Sequence, residues 1–171
     1  MTSKASYQNS PHLHGLSLGK ASGYVAHYAP ELLQAVPRSL NRDDLQLGET
    51  LPFDGVDIWT LYELSWLTPK GKPQVAVGEV AVPASSKNLI ESKSFKLYLN
   101  SLNQSHFRDI HEVAEILKKD LSACAEGEVA VTLYPLAQAP AQIATLPGDC
   151  IDDLDIAIDS YLFDPTLLSN A

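Results

Sequence analysis

The feature that most constrains the fold of this chain is a pair of strand-like runs separated by a short turn. Residues 58–67 are rich in β-branched and aromatic side chains, and residues 74–82 are rich in valine and alanine. The intervening residues 68–73 contain two prolines and a glycine, which favour a turn and an antiparallel hairpin. Because both runs carry apolar residues on each face, we expect the sheet to be covered on both sides over part of its length.

The segment after the hairpin has the spacing of an amphipathic helix. Three apolar residues, Phe95, Leu99 and Leu102, recur at intervals of three or four and therefore fall on one helix face. This spacing predicts a helix over residues 89–103.

A second helix is predicted with clearer boundaries, because a capping pattern precedes its apolar stripe. Asp109 is placed to cap the helix, and Glu112 follows three residues later, as in a capping box. The stripe extends to about Cys124, and Gly127 is expected to end the helix.

The rest of the chain supplies shorter elements. Residues 129–134 favour a strand, and residues 154–159 alternate strictly between apolar and polar, as in a half-exposed strand. Residues 1–23 are interpreted as an extended arm, followed by a brief helix over residues 30–35. Pro37 and its polar neighbours predict a loop or short turn over residues 35–43.

Composition argues against several classes of partner. With 45% hydrophobic and 19% charged residues, the 171-residue chain is within the range of one globular domain. A net charge of −9 argues against direct binding of nucleic acid, because phosphate contacts require clustered Lys and Arg. The sequence contains no apolar run of membrane-spanning length, no signal peptide and only two cysteines, so we expect a cytoplasmic protein without membrane contact.

Polar groups of both signs are concentrated at the expected start of the first helix. Lys93 and Lys96 supply positive charge, Ser92 and Ser94 supply hydroxyls, and helix N–H groups favour an anion. A phosphate-bearing ligand is therefore chemically plausible. An ordinary solvated helix is the alternative, and spacing alone does not decide between them.

The run ESKSFKLY at residues 91–98 resembles the signature of the nitrile reductases that convert 7-cyano-7-deazaguanine to its aminomethyl form in queuosine biosynthesis. Three further segments resemble the amino-terminal half of the two-module members of that family. They are PRSLNR at 37–42, DIWTLYELSW at 57–66 and PQVAVG at 73–78.

The resemblance implies a fold and a domain organisation. The fold is the tunnelling fold, an α+β fold in which an antiparallel sheet carries two helices on one face. An arm and short helix are expected over residues 1–40, the tunnelling-fold module over residues 41–165, and the start of a connection to a second module over residues 166–171.

The resemblance also implies roles for individual residues. Glu91 would contact the substrate base, since a carboxylate can accept both the exocyclic amine and the adjacent ring N–H of a deazaguanine. Ile90 and Ser92 would flank the base. Ser92 and Lys93 would contact NADPH, with Lys96 as a weaker candidate for its phosphates. A helix-terminal charge without further function is the alternative for Glu91.

The family chemistry requires a cysteine thiolate that attacks the nitrile carbon, hydride from NADPH, and an aspartate that supplies protons seven residues after the cysteine. Seven residues beyond Cys124 is Val131, and seven beyond Cys150 is Ala157, so neither cysteine matches. We predict that both are buried, inert thiols. No catalytic residue is expected in this chain, which would be inactive without a second module.

No metal site is predicted. His106 and His111 are five residues apart, which does not place them on one helix face. An acidic cluster lacks the pattern of a calcium loop and is interpreted as a solvated strand face, comprising Asp149, Asp152, Asp153, Asp155 and Asp159.

A rival hypothesis is a noncatalytic module of the same fold. Such a module would assemble through exposed strand edges or hold a purine-like or pterin-like base. A homo-oligomer is expected under either hypothesis.

Overall fold

The computed structural model describes most of the chain between residues 25 and 140. The described residues are 16, 23, 25–45, 47, 50–140, 147–150, 155, 162 and 164. The chain divides into two compact units, Met1–Ala139 and Pro140–Ala171, and every element given below lies in the first. The predicted arm over residues 1–23 and the predicted strand over residues 154–159 fall almost wholly outside the described residues.

The regular elements are short before the hairpin and longer from the hairpin onward. In chain order they are a 3-10 turn at Pro30–Leu32, β1 at Ala35–Pro37, α1 at Ser39–Arg42, a 3-10 turn at Asp43–Leu45, β2 at Val56–Leu67, β3 at Pro73–Pro83, β4 at Asn88–Ile90, α2 at Ser92–Ser101, α3 at Ile110–Ala125, β5 at Ala130–Pro135 and a 3-10 turn at Leu136–Gln138. This mixture of antiparallel strands and helices confirms the α+β prediction.

The predicted hairpin is confirmed and forms the framework of the sheet. β2 pairs antiparallel with β3, and β5 pairs antiparallel with the other edge of β3. β2 bulges by one residue between Leu61 and Leu64, which pair with Gly78 and Ala76. A Cβ atom at Gly78 would lie 2.5 Å from the end of the Leu133 side chain, so a larger residue there would require that side chain to move.

The inner face of this sheet is covered by α2 and α3. Apolar residues of β2, β3 and the two helices form one continuous core. Leu64 and Val80 on the sheet, Phe95 on α2 and Leu117 on α3 are all no more than 2% exposed. The sheet therefore carries two helices on one face, as predicted.

The outer face of the sheet is exposed, which corrects the prediction of a sheet covered on both sides. Val56, Ile58, Tyr62 and Val75 are between 46% and 76% exposed. Alternate strand residues point to opposite faces, and the described helices pack on the inner one. Both faces of the hairpin do carry apolar residues, as the sequence indicates. In the single chain, however, the apolar residues of the outer face point to solvent.

The first predicted helix begins later than expected. Residues 88–90 form β4, which pairs with β1 so that Ala35 lies opposite Ile90. The Asn88 side chain donates to the Cys124 carbonyl, 3.1 Å away, and so ties β4 to the end of α3. These contacts come from distant parts of the sequence and hold the segment extended up to Glu91.

The segment before the hairpin is also more regular than predicted. The brief helix expected over residues 30–35 is a three-residue 3-10 turn, and the expected loop over residues 35–43 contains β1 and α1. Arg38 explains part of this order, because its backbone N–H donates to the Lys87 carbonyl at 3.0 Å. The loop was predicted from Pro37 and its polar neighbours, and a strand of three residues is too short to show a period that would have countered that prediction.

The second predicted helix is confirmed as α3. The Asp109 carboxylate caps it by accepting the Glu112 N–H at 2.9 Å. The capping box is not reciprocal, because the Glu112 carboxylate accepts the N–H of Arg108 instead of that of Asp109.

At its carboxyl end, α3 departs from the predicted glycine stop. The left-handed residue that closes the helix is Glu126, with φ of 48°. Gly127 is needed for another reason. A Cβ atom at this position would lie only 2.7 Å from the Cβ atom of Ser86. Glycine is therefore required for the close approach of the loop between β3 and β4.

Candidate functional site

Glu91 caps the start of α2. Its backbone is extended, its Oε1 accepts the Lys93 N–H at 2.8 Å, and its Oε2 accepts the Ser94 N–H at 2.7 Å. The residue is only 6% exposed. The carboxylate is therefore oriented by these two N–H groups and by the Ser92 hydroxyl, which donates to Oε1 at 3.4 Å. Each carboxylate oxygen can accept more than one hydrogen bond. The helix-terminal role considered for Glu91 is present, and it is compatible with binding a ligand.

The strand pair β1 and β4 sets the backbone position of Glu91. Ile90, the last residue of β4, lies opposite Ala35, and the Glu91 N–H donates to the Gln34 carbonyl at 2.9 Å. Glu91 is consequently held at two places, its carboxylate by the start of α2 and its backbone by the segment that enters β1.

Two open clefts share Trp59 in their walls. The first cleft, of about 420 Å³, includes Ile90 in its lining, and the second, of about 540 Å³ between β2 and α2, includes Ser92 and Lys96. Trp59 packs edge-on against Phe95, with ring centroids 5.3 Å apart. The sequence neighbours on either side of Glu91 therefore line different clefts.

The predicted cofactor contacts are only partly brought together. Ser92 and Lys96 are exposed in the second cleft, whereas the half-buried Lys93 is not among the residues that line it. The N–H groups of Lys93 and Ser94 already bind the Glu91 carboxylate. An anion in this cleft would therefore depend on the Lys96 side chain more than on the helix terminus.

The ion pair of Arg38 and Asp57 was not predicted as part of the site. Arg38 is 7% exposed, and its guanidinium donates to the Asp57 carboxylate, the Ser86 hydroxyl and the Pro83 carbonyl. Asp57 also lines the first cleft, beside Ile90. The available signal was that both residues fall in segments carrying the family resemblance.

The two cysteines have different environments. Burial raises the pKa of the half-buried Cys124 thiol to about 11, which agrees with the predicted inert thiol. Cys150 is exposed, so the prediction that it is buried is wrong. Its place ahead of an apolar run suggested burial, but the run itself lies outside the described residues.

Cys124 is expected to resist alkylation. At pH 8 a thiol with a pKa of about 11 is roughly 100-fold less ionised than one at the ordinary value of 9.0. We expect iodoacetamide to modify Cys124 in the Cys150→Ser protein at least ~10-fold more slowly than Cys150 in the Cys124→Ser protein. Mass spectrometry over time measures both rates, and equal rates would contradict the protected state of Cys124.

The described residues provide neither a metal-binding cluster nor a membrane-spanning helix. Within the part of the chain that the structure describes, no group of three His, Cys, Asp or Glu side chains is arranged to hold a metal ion. None of the described helices is long and apolar enough to cross a membrane. Of the acidic cluster predicted near the carboxyl end, only Asp149 and Asp155 are among the described residues.

Comparison with protein families gives one match that covers more than half of the chain. Residues 24–133 match the family described as nitrile reductase, 7-cyano-7-deazaguanine-reductase N-term. The matched range contains Glu91 and every residue that lines the two clefts.

Proposed function

Because this chain belongs to the family of amino-terminal domains of 7-cyano-7-deazaguanine reductase, a nitrile reductase of queuosine biosynthesis, we propose that it binds the deazaguanine base for that enzyme. The proposed reaction reduces the cyano group to an aminomethyl group, consuming two NADPH and two protons. The protein would thereby act in tRNA modification, in the cytoplasm.

The placement of Glu91 carries this proposal. A deazaguanine presents two donors on one edge, the exocyclic amine and the ring N–H, and a carboxylate matches that edge with two acceptors. The Glu91 carboxylate is held by the Lys93 and Ser94 N–H groups, so little conformational freedom remains to be lost on binding. Ile90 and Ser92 would complete the base contacts from either side.

The proposed NADPH contacts are Ser92 and Lys93, with Lys96 in addition. NADPH supplies hydride to the nitrile carbon when it is bound. Lys96 shares the second cleft with Ser92, which supports a larger role for Lys96 than the sequence suggested. Its ammonium group would pair with a cofactor phosphate, while the Ser92 hydroxyl would exchange its 3.4 Å hydrogen bond to Glu91 for one to the cofactor.

A second module is proposed as the source of the nucleophile and the proton donor. Cys124 is unsuitable because burial raises its thiol pKa to about 11, which leaves little thiolate at neutral pH. Cys150 is exposed but is followed seven residues later by Ala157, where the family pattern requires aspartate. The proposed site therefore forms when the base held at Glu91 meets groups of the second module.

Turnover is expected only when the second module is present. The loss of NADPH absorbance is followed with 7-cyano-7-deazaguanine for this chain alone and for the chain joined to a second module from the same family. Activity confined to the joined protein supports the proposal. Turnover by the chain alone would contradict the assignment of the nucleophile to the second module.

The exposed sheet favours a second candidate function, assembly without catalysis. The outer face carries Ile58, 59% exposed, and Tyr62, 76% exposed, and among the described strands β2 and β5 lie at the edges of their sheet. Such a module would pair strands with another copy and hold a purine-like or pterin-like base. Base binding without NADPH oxidation in the joined protein would favour this function over the reductase.

A further inference from the structure

Three buried serine hydroxyls bind the segment of residues 28–34 to α2 and to the turn that follows it. We refer to residues 28–34 as the strap. The backbone N–H groups of Gln34, Ala29 and Tyr28 donate to Ser94, Ser101 and Ser105, at 3.0, 3.2 and 2.6 Å respectively. Each serine in turn donates to a nearby backbone carbonyl, that of Glu91, Tyr98 and Ser101 respectively.

Ser94 is the serine whose hydrogen bonds reach Glu91. Its hydroxyl donates to the Glu91 carbonyl at 2.8 Å, and its backbone N–H donates to Oε2 of the Glu91 carboxylate at 2.7 Å. The Glu91 N–H donates to Gln34, whose own N–H donates to the Ser94 hydroxyl. Gln34, Glu91 and Ser94 therefore form a closed ring of hydrogen bonds.

We propose that Ser94 is a positioning residue that sets the location of the Glu91 carboxylate for recognition of the base. This role rests on the proposed function of Glu91. Ser94 is fully buried, so its hydroxyl acts on the ligand through Glu91 and not by direct contact.

The physical reason is the shared hydroxyl. Without it, the Gln34 N–H loses its acceptor at a part-buried position, and the Glu91 carbonyl loses one donor. The Glu91 N–H still donates to the Gln34 carbonyl, but the second link between the strap and the start of α2 is lost, so the Glu91 carboxylate is less firmly positioned. Recognition through paired hydrogen bonds is sensitive to position, since a misplacement of about 1 Å can cost on the order of 100-fold in rate.

Ser101 offers a matched control. It is also fully buried on α2, accepts a strap N–H and donates to a helix carbonyl, but it bonds Ala29 and Tyr98 in place of Gln34 and Glu91. Ser101→Ala therefore measures the effect of loosening the strap alone, with the same chemical change as Ser94→Ala.

The experiment compares the two variants in the protein joined to a second module. We expect Ser94→Ala to raise the KM for 7-cyano-7-deazaguanine on the order of tenfold more than Ser101→Ala, at a similar fall in melting temperature. Equal effects on KM would overturn the positioning role and leave the proposed function intact. Absence of turnover in the unsubstituted joined protein would overturn the proposed function and this role with it.

A double-mutant cycle tests whether Ser94 acts through Glu91. If it does, Ser94→Ala should change base affinity, measured by calorimetry, less than about twofold in a Glu91→Gln background. Additive losses would overturn the proposal. Ser94→Cys is the second variant should Ser94→Ala fail to fold, because the thiol fills the site but is a weak donor and acceptor. Its KM for the base is expected to rise relative to Ser101→Ala, and an unchanged KM would count against Ser94.

Discussion

Replacing Glu91 with glutamine should lower kcat/KM for 7-cyano-7-deazaguanine by roughly a thousandfold or more in the two-module enzyme. Glutamine presents an amide NH₂ to one of the two donors on the base, so a charge-assisted hydrogen bond becomes a repulsive contact. Sites built on paired hydrogen bonds discriminate by roughly 10⁴-fold against partners that lack the match. The measurement is NADPH oxidation at subsaturating base.

The cap role of Glu91 must be separated from recognition of the base. The glutamine side-chain oxygen can still accept one of the N–H groups of Lys93 and Ser94, while its NH₂ group meets the other, so the melting temperature should fall only as far as the loss of one capping hydrogen bond requires. Asp109→Asn is the matched control, because Asp109 caps α3 through the Glu112 N–H in the same manner. If Glu91→Gln and Asp109→Asn have similar kcat/KM values, Glu91 acts as a helix cap and does not recognise the base.

Replacing Asp120 with alanine is expected to cause a large loss of stability, about 3 kcal/mol in the free energy of unfolding. Oδ2 of Asp120 accepts the hydroxyls of Tyr28 at 2.6 Å and Tyr98 at 2.7 Å. Tyr98 is fully buried, so its hydroxyl would lose its acceptor without gaining water. Urea unfolding measures the free energy of unfolding of Asp120→Ala and of a control, Tyr28→Phe. The control is expected to lose only about 1 kcal/mol.

The pH dependence of unfolding is a second measurement of the same contact. Burial, and then the hydrogen bond to Asp120, raise the pKa of Tyr98 far above its ordinary value of 10.0. The folded protein keeps this proton at pH values where the unfolded chain loses it. Stability is therefore fully present below about pH 10 and falls as the pH rises further, by up to about 1.4 kcal/mol per pH unit. A Tyr98→Phe protein should lack this contribution, and an unchanged slope in that protein would contradict the assignment.

Elements that are determined by residues close together in the sequence were predictable. The hairpin of β2 and β3 followed from two runs of strand-forming residues and a turn, and α3 followed from its stripe and the cap at Asp109. The family was evident from the run at residues 91–98, and the match over residues 24–133 confirms it. Each of these signals lies within a short stretch of sequence, where local periodicity and capping determine the outcome.

Features that depend on pairing between distant segments were decided by the tertiary structure. β1 and β4 were missed because each has three residues, and their hydrogen bonds link positions more than fifty residues apart. The same pairing delays the start of α2 and makes Glu91 its cap, which no helical spacing could indicate. The exposure of Cys150 and of the outer sheet face likewise depends on which segments pack against each residue, and composition does not contain that information. The sequence by itself therefore determined the family, the hairpin and the identity of Glu91, whereas long-range hydrogen bonds determined how that carboxylate is held.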